Sequence, residues 1–328
     1  MVDLLHESIT MTVAFVVSVP VLLGLLLFVI NEIRRPPGPA RWGGTPRWPK
    51  RLRVSFAAII LLLAGVVFWG FLVEPGRLIV RHETIRIDNW PKELDGLQIA
   101  VLADIHVDSW FVNDRKLRAI VQQTNQLQPE LIMILGDYMS GNGWMKRTVD
   151  PEVFAPVLKD FHAPLGVYSV LGNHDTWFSL RRVRQALEQN GIKVLENEEV
   201  EINARGTSLW VAGLADLWTR PQRIDDVLAR IPDGRPVIAL THNPDIFPRV
   251  PERVQLLLAG HTHGGQVRFP LIGTVVESSR FGNRYGRGHV VENNHHLFVT
   301  TGIGTSIVPV RFGVPPEVVL LTIKAPSP

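Results

Sequence analysis

Five short apolar runs, at 98–103, 131–135, 167–171, 236–241 and 254–259, each end in a polar cluster, and this recurrence constrains the fold more than any other feature. The first run is followed by Asp104-Ile105-His106, the second by Gly136-Asp137 and the third by Gly172-Asn173-His174-Asp175. The fourth leads into His242, and the fifth into Gly260-His261-Thr262-His263-Gly264-Gly265. Near-continuous short apolar runs read as strands buried on both faces. Between them, residues 114–127, 151–161, 179–190 and 221–230 read as helices, with Asp114 as an N-cap and Gly191 just past a helix end. From Gln266 onward the chain is richer in Gly and β-branched residues, predicting strands that return to pack on the first sheet. Such alternation predicts an α/β fold with at least one mixed sheet. Ligand sites in α/β sheets lie at the carboxyl ends of strands, so all five clusters can converge there. A lone Asp-x-His is usually a turn, and a lone buried His a hydrogen-bonded core residue. Five such clusters in series point to a site.

The residue types define its chemistry. Carboxylates, imidazoles and one amide oxygen suit Mn²⁺, Fe or Zn²⁺. Asp104, His106, Asp137, Asn173, His242, His261 and His263 are too many for one ion, and they suit two sharing a bridging carboxylate. Two metals about 3.5–4 Å apart can clamp a phosphoryl group and hold a bridging hydroxide for in-line attack. The chain has no cysteine, which excludes disulfides, thiolate zinc sites, iron–sulfur clusters and cysteine nucleophiles.

The ordered set DxH, GD, GNHD, H and GHTHGG resembles the calcineurin-like metallophosphoesterases, and most closely their membrane-anchored bacterial branch of predicted phosphohydrolases. The likeness runs over residues 84–324. It implies a four-layer sandwich, two mixed β-sheets flanked by helices. It also implies that Asp104, His106, Asp137 and His263 bind one metal, and that Asp137, Asn173, His242 and His261 bind the other, with Asp137 bridging. His174 would then stabilise transition-state charge or protonate the leaving oxygen, with Asp175 orienting its imidazole. The expected activity is hydrolysis of a phosphoester or pyrophosphate, on a substrate associated with the membrane or envelope. Relatives of this type add a sharper alternative, a pyrophosphatase acting on a UDP-linked diacylated glucosamine of lipid A synthesis. A different class of reading is a non-catalytic, metal-stabilised scaffold for phosphorylated ligands, against which the intact GNHD motif argues.

The amino-terminal quarter is of another kind. Residues 9–30 and 54–73 are uncharged runs of 22 and 20 residues, each long enough for a transmembrane helix. The linker 31–53 between them holds seven basic residues and five prolines, and Glu32 is its only acid. Residues 1–83 are accordingly expected to be a two-helix membrane anchor and 84–328 the hydrolase domain. Basic loops favour the cytoplasmic side, which places the catalytic domain outside the cell membrane. The overall charge of +3 belongs to that linker, leaving residues 74–328 near neutral. Nucleic acid is therefore not an expected partner; the lipid bilayer and a phosphorylated, possibly lipid-linked, substrate are. Arg280, Arg284 and Arg287, set among Phe281, Tyr285 and glycines, are candidate phosphate contacts. Trp177 is a candidate pocket wall, and Asp216 an additional acid behind a further apolar run. His289, His295 and His296 stand outside the motifs, and the glycines at 302 and 304 with Arg311 read as structural turns near the site.

Overall fold

The computed structural model describes residues 49–140, 149–276 and 278–326, with a few helical positions between 24 and 34. The chain divides into two units, Met1–Gly70 and Phe71–Pro328.

In the first unit, α1 (Lys50–Phe68) opens on Lys50, Arg51 and Arg53 and is apolar on every face beyond them, and most of its large side chains are exposed, Leu62 at 68% and Leu63 at 57%. With the wider turns that continue it, Arg51–Gly76 is one helical stretch of 26 residues, long and apolar enough to cross a membrane. The helix starts ahead of the expected residue 54, so the end of the basic linker is helical. The expected span 9–30 and most of the linker 31–53 lie outside the described residues. One candidate span, rather than two, is therefore found among the described residues.

The second unit is built from β1 (Ile79–Arg86), β2 (Leu97–Leu102), α2 (Asp114–Gln126), β3 (Leu131–Ile134), α3 (Pro151–Leu158), β4 (Val167–Ser169), α4 (Asn173–Gln189) and β5 (Lys193–Val194). It continues through β6 (Glu198–Ala204), β7 (Thr207–Gly213), α5 (Ile224–Ala229), β8 (Val237–Leu240), β9 (Leu256–Ala259), the short hairpin β10 (Arg268–Phe269) and β11 (Gly273–Thr274), then β12 (Gly288–Glu292), β13 (His295–Val299) and β14 (Glu317–Lys324). Sheet one has the order β1-β14-β2-β3-β4-β5 and sheet two β12-β13-β9-β8-β7-β6. Both are mixed. In sheet one β2 to β5 run parallel and β14 antiparallel to β2; in sheet two β13, β9, β8 and β7 run parallel between antiparallel edges. The expected domain start at 84 falls inside β1, which pairs with β14 from Ile79 onward.

Strand alternation explains the layering. Ile99 and Val101 of β2, Ile238 and Leu240 of β8, and Leu256 and Leu258 of β9 share one core between the sheets. Their neighbours turn the other way. Ala100, Leu102, Ile132 and Ile134 meet α2, α3 and α4, whereas Val237, Ala239, Leu257 and Ala259 meet α5 and the 244–249 turn. The strands are thus apolar throughout because both faces are covered. In α2, Leu117, Ile120, Val121 and Thr124 form the buried stripe, each large apolar side chain contributing about 1.5–3 kcal/mol. Its N-cap is Asn113, whose side chain accepts the Lys116 N–H at 2.9 Å, and not Asp114, which is the first helical residue. Expected helix 179–190 begins six residues earlier, at Asn173, so the GNHD cluster is itself the helix start. Ser179, with extended backbone, breaks the helix there and hid the first turn from a periodicity reading.

Candidate metal centre

Every cluster sits just beyond the carboxyl end of a strand, and the loops are held in costly conformations. Asp104, His106, Asp137, His261 and His263 all have φ between 46° and 69°. This left-handed region costs a non-glycine residue about 1–3 kcal/mol. Cross-loop hydrogen bonds maintain it. Asp104 N–H donates to Gly136 O at 2.9 Å, His106 N–H to Asp137 O at 3.0 Å, and Gly260 N–H to His242 O at 2.9 Å. The backbones also close in on the site. A Cβ on Gly260 would lie 2.9 Å from Asp104 Oδ2, and one on Gly302 would lie 2.7 Å from Asp104 Cβ. Those positions admit only glycine.

Three overlapping groups of ligand atoms result: Asp104, His106 and His263; His106, Asp137 and His174; and Asp137, His242 and His261. His106 Nδ1 lies 2.7 Å from Met139 O, and His242 Nδ1 lies 2.7 Å from Leu135 O. Each must donate there, which leaves each Nε2 as a lone pair aimed inward in the neutral ring. His106 Nε2 lies 3.2 Å from His263 Nε2 and 3.9 Å from Asp137 Oδ2. His242 Nε2 lies 3.1 Å from Asp137 Oδ2 and 3.1 Å from His261 Nδ1. His263 Nε2 is 3.5 Å from Asp104 Oδ1. Acceptors facing acceptors at such distances require a proton or a cation between them. Asn173, first residue of α4, adds a buried side-chain oxygen with no hydrogen-bond partner, and His261 Nε2 is likewise unpartnered. Buried acceptors left in this state are what a metal site presents before loading. The donor set fits divalent metals.

Electrostatics reinforce the reading. Burial alone would raise Asp137, but His242, by charge and hydrogen bond, with His174 and His106, holds it well below the carboxylate range. The N-terminus of α4 adds to this, because His174 N–H donates to Asp137 Oδ1 at 2.9 Å. Burial, with the Asp137 charge, pushes Asp104 up to about 7 despite the pull of His242. Burial also opposes charge on His242, yet Asp137 and Asp104 hold it up to about 10. Burial and the charge on His242 push His261 down to about 3, and burial, His106 and Arg311 hold His263 well below the ordinary histidine value. Charge is concentrated on Asp137 and His242, with the neutral imidazoles of His261 and His263 beside them.

His174 is partly buried, its Nε2 4.0 Å from Asp137 Oδ2, its ring edge-on to His106 at 4.9 Å and to Trp177 at 5.0 Å. Asp175, expected to orient that imidazole, is completely buried. Its carboxylate accepts four backbone N–H groups, from Asp137, Tyr138, Met139 and Gly172, at 2.8–3.0 Å. It ties the Asp137 loop to the start of α4, and its lone pairs are used there. The arginine loop has partners of its own. Arg284 pairs with Glu292 at 2.6 Å, and Arg280 donates to Asp245 O at 3.2 Å while lying over Phe281, so both forks are engaged within their own surroundings. Arg287 is exposed, and its pKa is lowered by burial and by the charges of Arg268 and Arg81. His289 and His296 bond to each other at 2.9 Å at the β12–β13 edge, and His295 packs on Phe247, in none of the three ligand groups. Asp216 accepts the N–H groups of Trp218 and Thr219 at 3.1 Å. That turn presents Trp218, whose 55%-exposed indole meets the His261 ring edge-on at 4.3 Å. Sequence reasoning passed over Trp218, although it stands two residues after the acid that closes β7. Arg311, completely buried, donates to Thr301 O and Gly304 O and lies 3.4 Å from His263 Nδ1, fastening the glycine turns behind the site.

One family profile spans all five clusters. The profile of the calcineurin-like phosphoesterase family matches residues 97–265. The metallophosphoesterase YkuE of Bacillus subtilis is 27% identical over 274 residues, covering 83% of this chain and 94% of its own. The phosphodiesterase YaeI of Escherichia coli is 28% identical over 283 residues, covering 83% and 97%. Among solved structures, Haemophilus influenzae NAD nucleotidase aligns with a TM-score of 0.42 and 13% identity over 63% of this chain, which spans half the length of that one.

Proposed function

Because this chain belongs to the calcineurin-like phosphoesterases, a family of metal-dependent phosphoester hydrolases, we propose that it is a membrane-anchored hydrolase using two divalent cations on a phosphoester or pyrophosphate held at the bilayer surface. The observation that carries the reading is the convergence of carboxylate and imidazole ligand atoms around Asp137 from the ends of both sheets. Asp104, His106, Asp137 and His263 would hold one cation, and Asp137, Asn173, His242 and His261 the other. When bound, such ions neutralise phosphoryl charge and lower the pKa of a coordinated water.

The chain's own residues do the rest. His174 faces the same space as Asp137 and can hold a proton for the departing oxygen. Asp175 acts on it indirectly, by fixing the backbone of α4 from which it projects. Trp177, at 62% exposure, and Trp218 flank the mouth as apolar walls for the unreacting part of the substrate.

The test uses the full chain in bilayer vesicles loaded with Mn²⁺ and a panel of phosphomonoesters, phosphodiesters and a nucleoside-diphosphate-linked acyl sugar. Turnover should be lost in Asp137→Asn together with bound metal. His174→Ala should lose turnover while retaining two metals per chain. Loss of a metal in His174→Ala would make His174 a ligand instead, as its place in one of the three groups allows. Full metal with no turnover on any ester would favour the scaffold reading.

A further inference from the structure

Beside the metal centre two loops end in bare aliphatic side chains. The β10–β11 hairpin carries Leu271 and Ile272 at its tip, 108% and 78% exposed, then Val275 and Val276 at 55% and 65%. The second loop carries Ile307 and Val308 at 80% and 43%. Leu271 and Ile307 have φ of 70° and 61°. Turn positions in that region ordinarily hold Gly or Asn, and a β-branched residue there is an outlier. Each tip thus combines a backbone conformation that disfavours its residue with a side chain that gains nothing from burial in the fold.

The two loops form one surface. Gln266 joins them: its side chain donates to Ser306 O at 3.1 Å and to Val308 O at 3.3 Å, and accepts the Ser306 N–H at 2.6 Å. Arg268 N–H donates to Phe312 O at 2.7 Å, and the Phe269 and Phe312 rings lie 4.9 Å apart. Arg268 and Arg287 lie close together beside the hairpin, adding positive charge. The hairpin follows the GHTHGG cluster directly, and its returning strand packs on Gly265, two residues from His263.

What covers this surface follows from the chain path within the same unit. The apolar stretch ends at Gly76, and its last turn is pinned to the second loop's own base: Glu74, 4% exposed, accepts the Val314 N–H at 2.8 Å. Ile79 N–H then donates to Pro316 O at 2.9 Å. The residues that leave a membrane span are therefore fixed to the loop that exposes Ile307 and Val308. Aliphatic tips bordered by arginines suit an interfacial position in an anionic bilayer, with side chains at the acyl boundary and guanidinium groups among the headgroups.

We propose that the 270–276 and 306–310 loops insert into the bilayer interface and set the mouth of the metal centre at headgroup depth. Docking does not depend on catalysis. Its consequence, that the substrate phosphate belongs to an amphiphile embedded in the membrane, rests on the hydrolase reading above.

Because the chain lacks cysteine, a single label can be placed anywhere. Full-length Leu271→Cys and Ile307→Cys, carrying an environment-sensitive nitrobenzoxadiazole probe, would be reconstituted in phosphatidylethanolamine–phosphatidylglycerol vesicles. Asp233→Cys, at a fully exposed position beyond α5, is the control. Blue-shifted emission at 271 and 307, quenched by nitroxide-labelled lipid and absent at 233, is expected. Emission at 271 equal to that at 233 overturns the proposal. A blue shift without lipid quenching also overturns it, since a second copy or another protein would then cover the loops. In a second arm, the triple change Leu271→Ser, Ile272→Ser, Ile307→Ser should cut turnover of a vesicle-embedded phospholipid ester roughly tenfold and leave a soluble chromogenic ester unaffected. Lipid quenching in a protein with no turnover on any ester would retain the docking and remove the hydrolase reading.

Discussion

The two sheets contribute different chemistry to one centre. The loops of sheet one supply both carboxylates, Asp104 and Asp137, the amide of Asn173 and the imidazoles of His106 and His174. The loops of sheet two supply imidazole alone, from His242, His261 and His263. Carboxylate–imidazole pairs therefore cross the sandwich, with His242 3.1 Å from Asp137 and His263 3.5 Å from Asp104. Below these pairs lies an entirely apolar layer, in which Val101 and Met133 meet Val211, Ile238 and Leu258. The centre is thus the polar end of an interface that is elsewhere oily. A cation held there would join the sheets as well as hold substrate.

Asp137 is the sharpest point at which to break this arrangement, because it stands in two of the three groups, with His106 and His174 in one and with His242 and His261 in the other. Asp137→Asn should abolish turnover and release bound metal, as measured by elemental analysis of the full chain. Retention of both metals would show that the sheets are bridged some other way. Chelation is the next largest perturbation. Removing the metals leaves facing acceptors across the interface and should lower Tm by several degrees, recoverable on adding Mn²⁺. An unchanged Tm would mean that the apolar layer alone sets the stability of the sandwich.

His174 and Asp175 sharpen the contrast within sheet one. His174→Ala should reduce turnover by roughly 10²–10⁴-fold with metal and Tm nearly intact. Asp175→Asn turns an amide NH₂ toward backbone N–H groups and weakens charge-assisted bonds, at a cost of about 1–3 kcal/mol seen first as a lower Tm. If the Asn substitution instead spared Tm and shifted the pH profile of turnover, Asp175 would be acting on the imidazole after all.

These neighbours also mark how far sequence could be read. The strands were legible because residues such as Ile99, Leu131 and Leu258 are buried on both faces and form unbroken apolar runs. The clusters were legible because each begins where such a run stops. The role of Asp175 was not, since its partners at 137–139 belong to another loop and are backbone atoms, which carry no side-chain signal. Arg280 and Arg284 illustrate the same limit: their type suggested phosphate, while their pairing with Asp245 and Glu292 carries no signal in the sequence. Trp218 escaped because the Asp216 turn that aims it is a local hydrogen-bonding pattern rather than a periodic one. The aliphatic tips at 271 and 307 are unremarked in composition and become conspicuous only through their exposure and backbone angles.

The smallest expected effect is the pH dependence of the metal-free protein, and it separates the two sheets once more. His242 is raised from 6.5 to about 10 by Asp137 and Asp104, against burial. The folded state then binds a proton that the unfolded state has released. This stabilisation is complete below pH 6.5 and is lost as pH rises towards about 10. Asp104, raised to about 7 chiefly by burial, acts in the same direction between 3.8 and about 7. His261 is lowered to about 3 by burial and by His242, so the unfolded state takes up the proton first and stability falls as pH drops below 6.5. His263, also lowered, adds to that acid limb. Metal-free protein should therefore lose Tm on the alkaline side through His242, and His242→Gln should flatten that limb. Metal reverses the slope, because a cation replaces the proton on His242 and its binding strengthens as pH rises. Parallel melting curves for loaded and metal-free protein, from about pH 7 to about pH 9, should diverge. Curves that stay parallel would place the cation away from His242 and confine it to the Asp104 side of the centre.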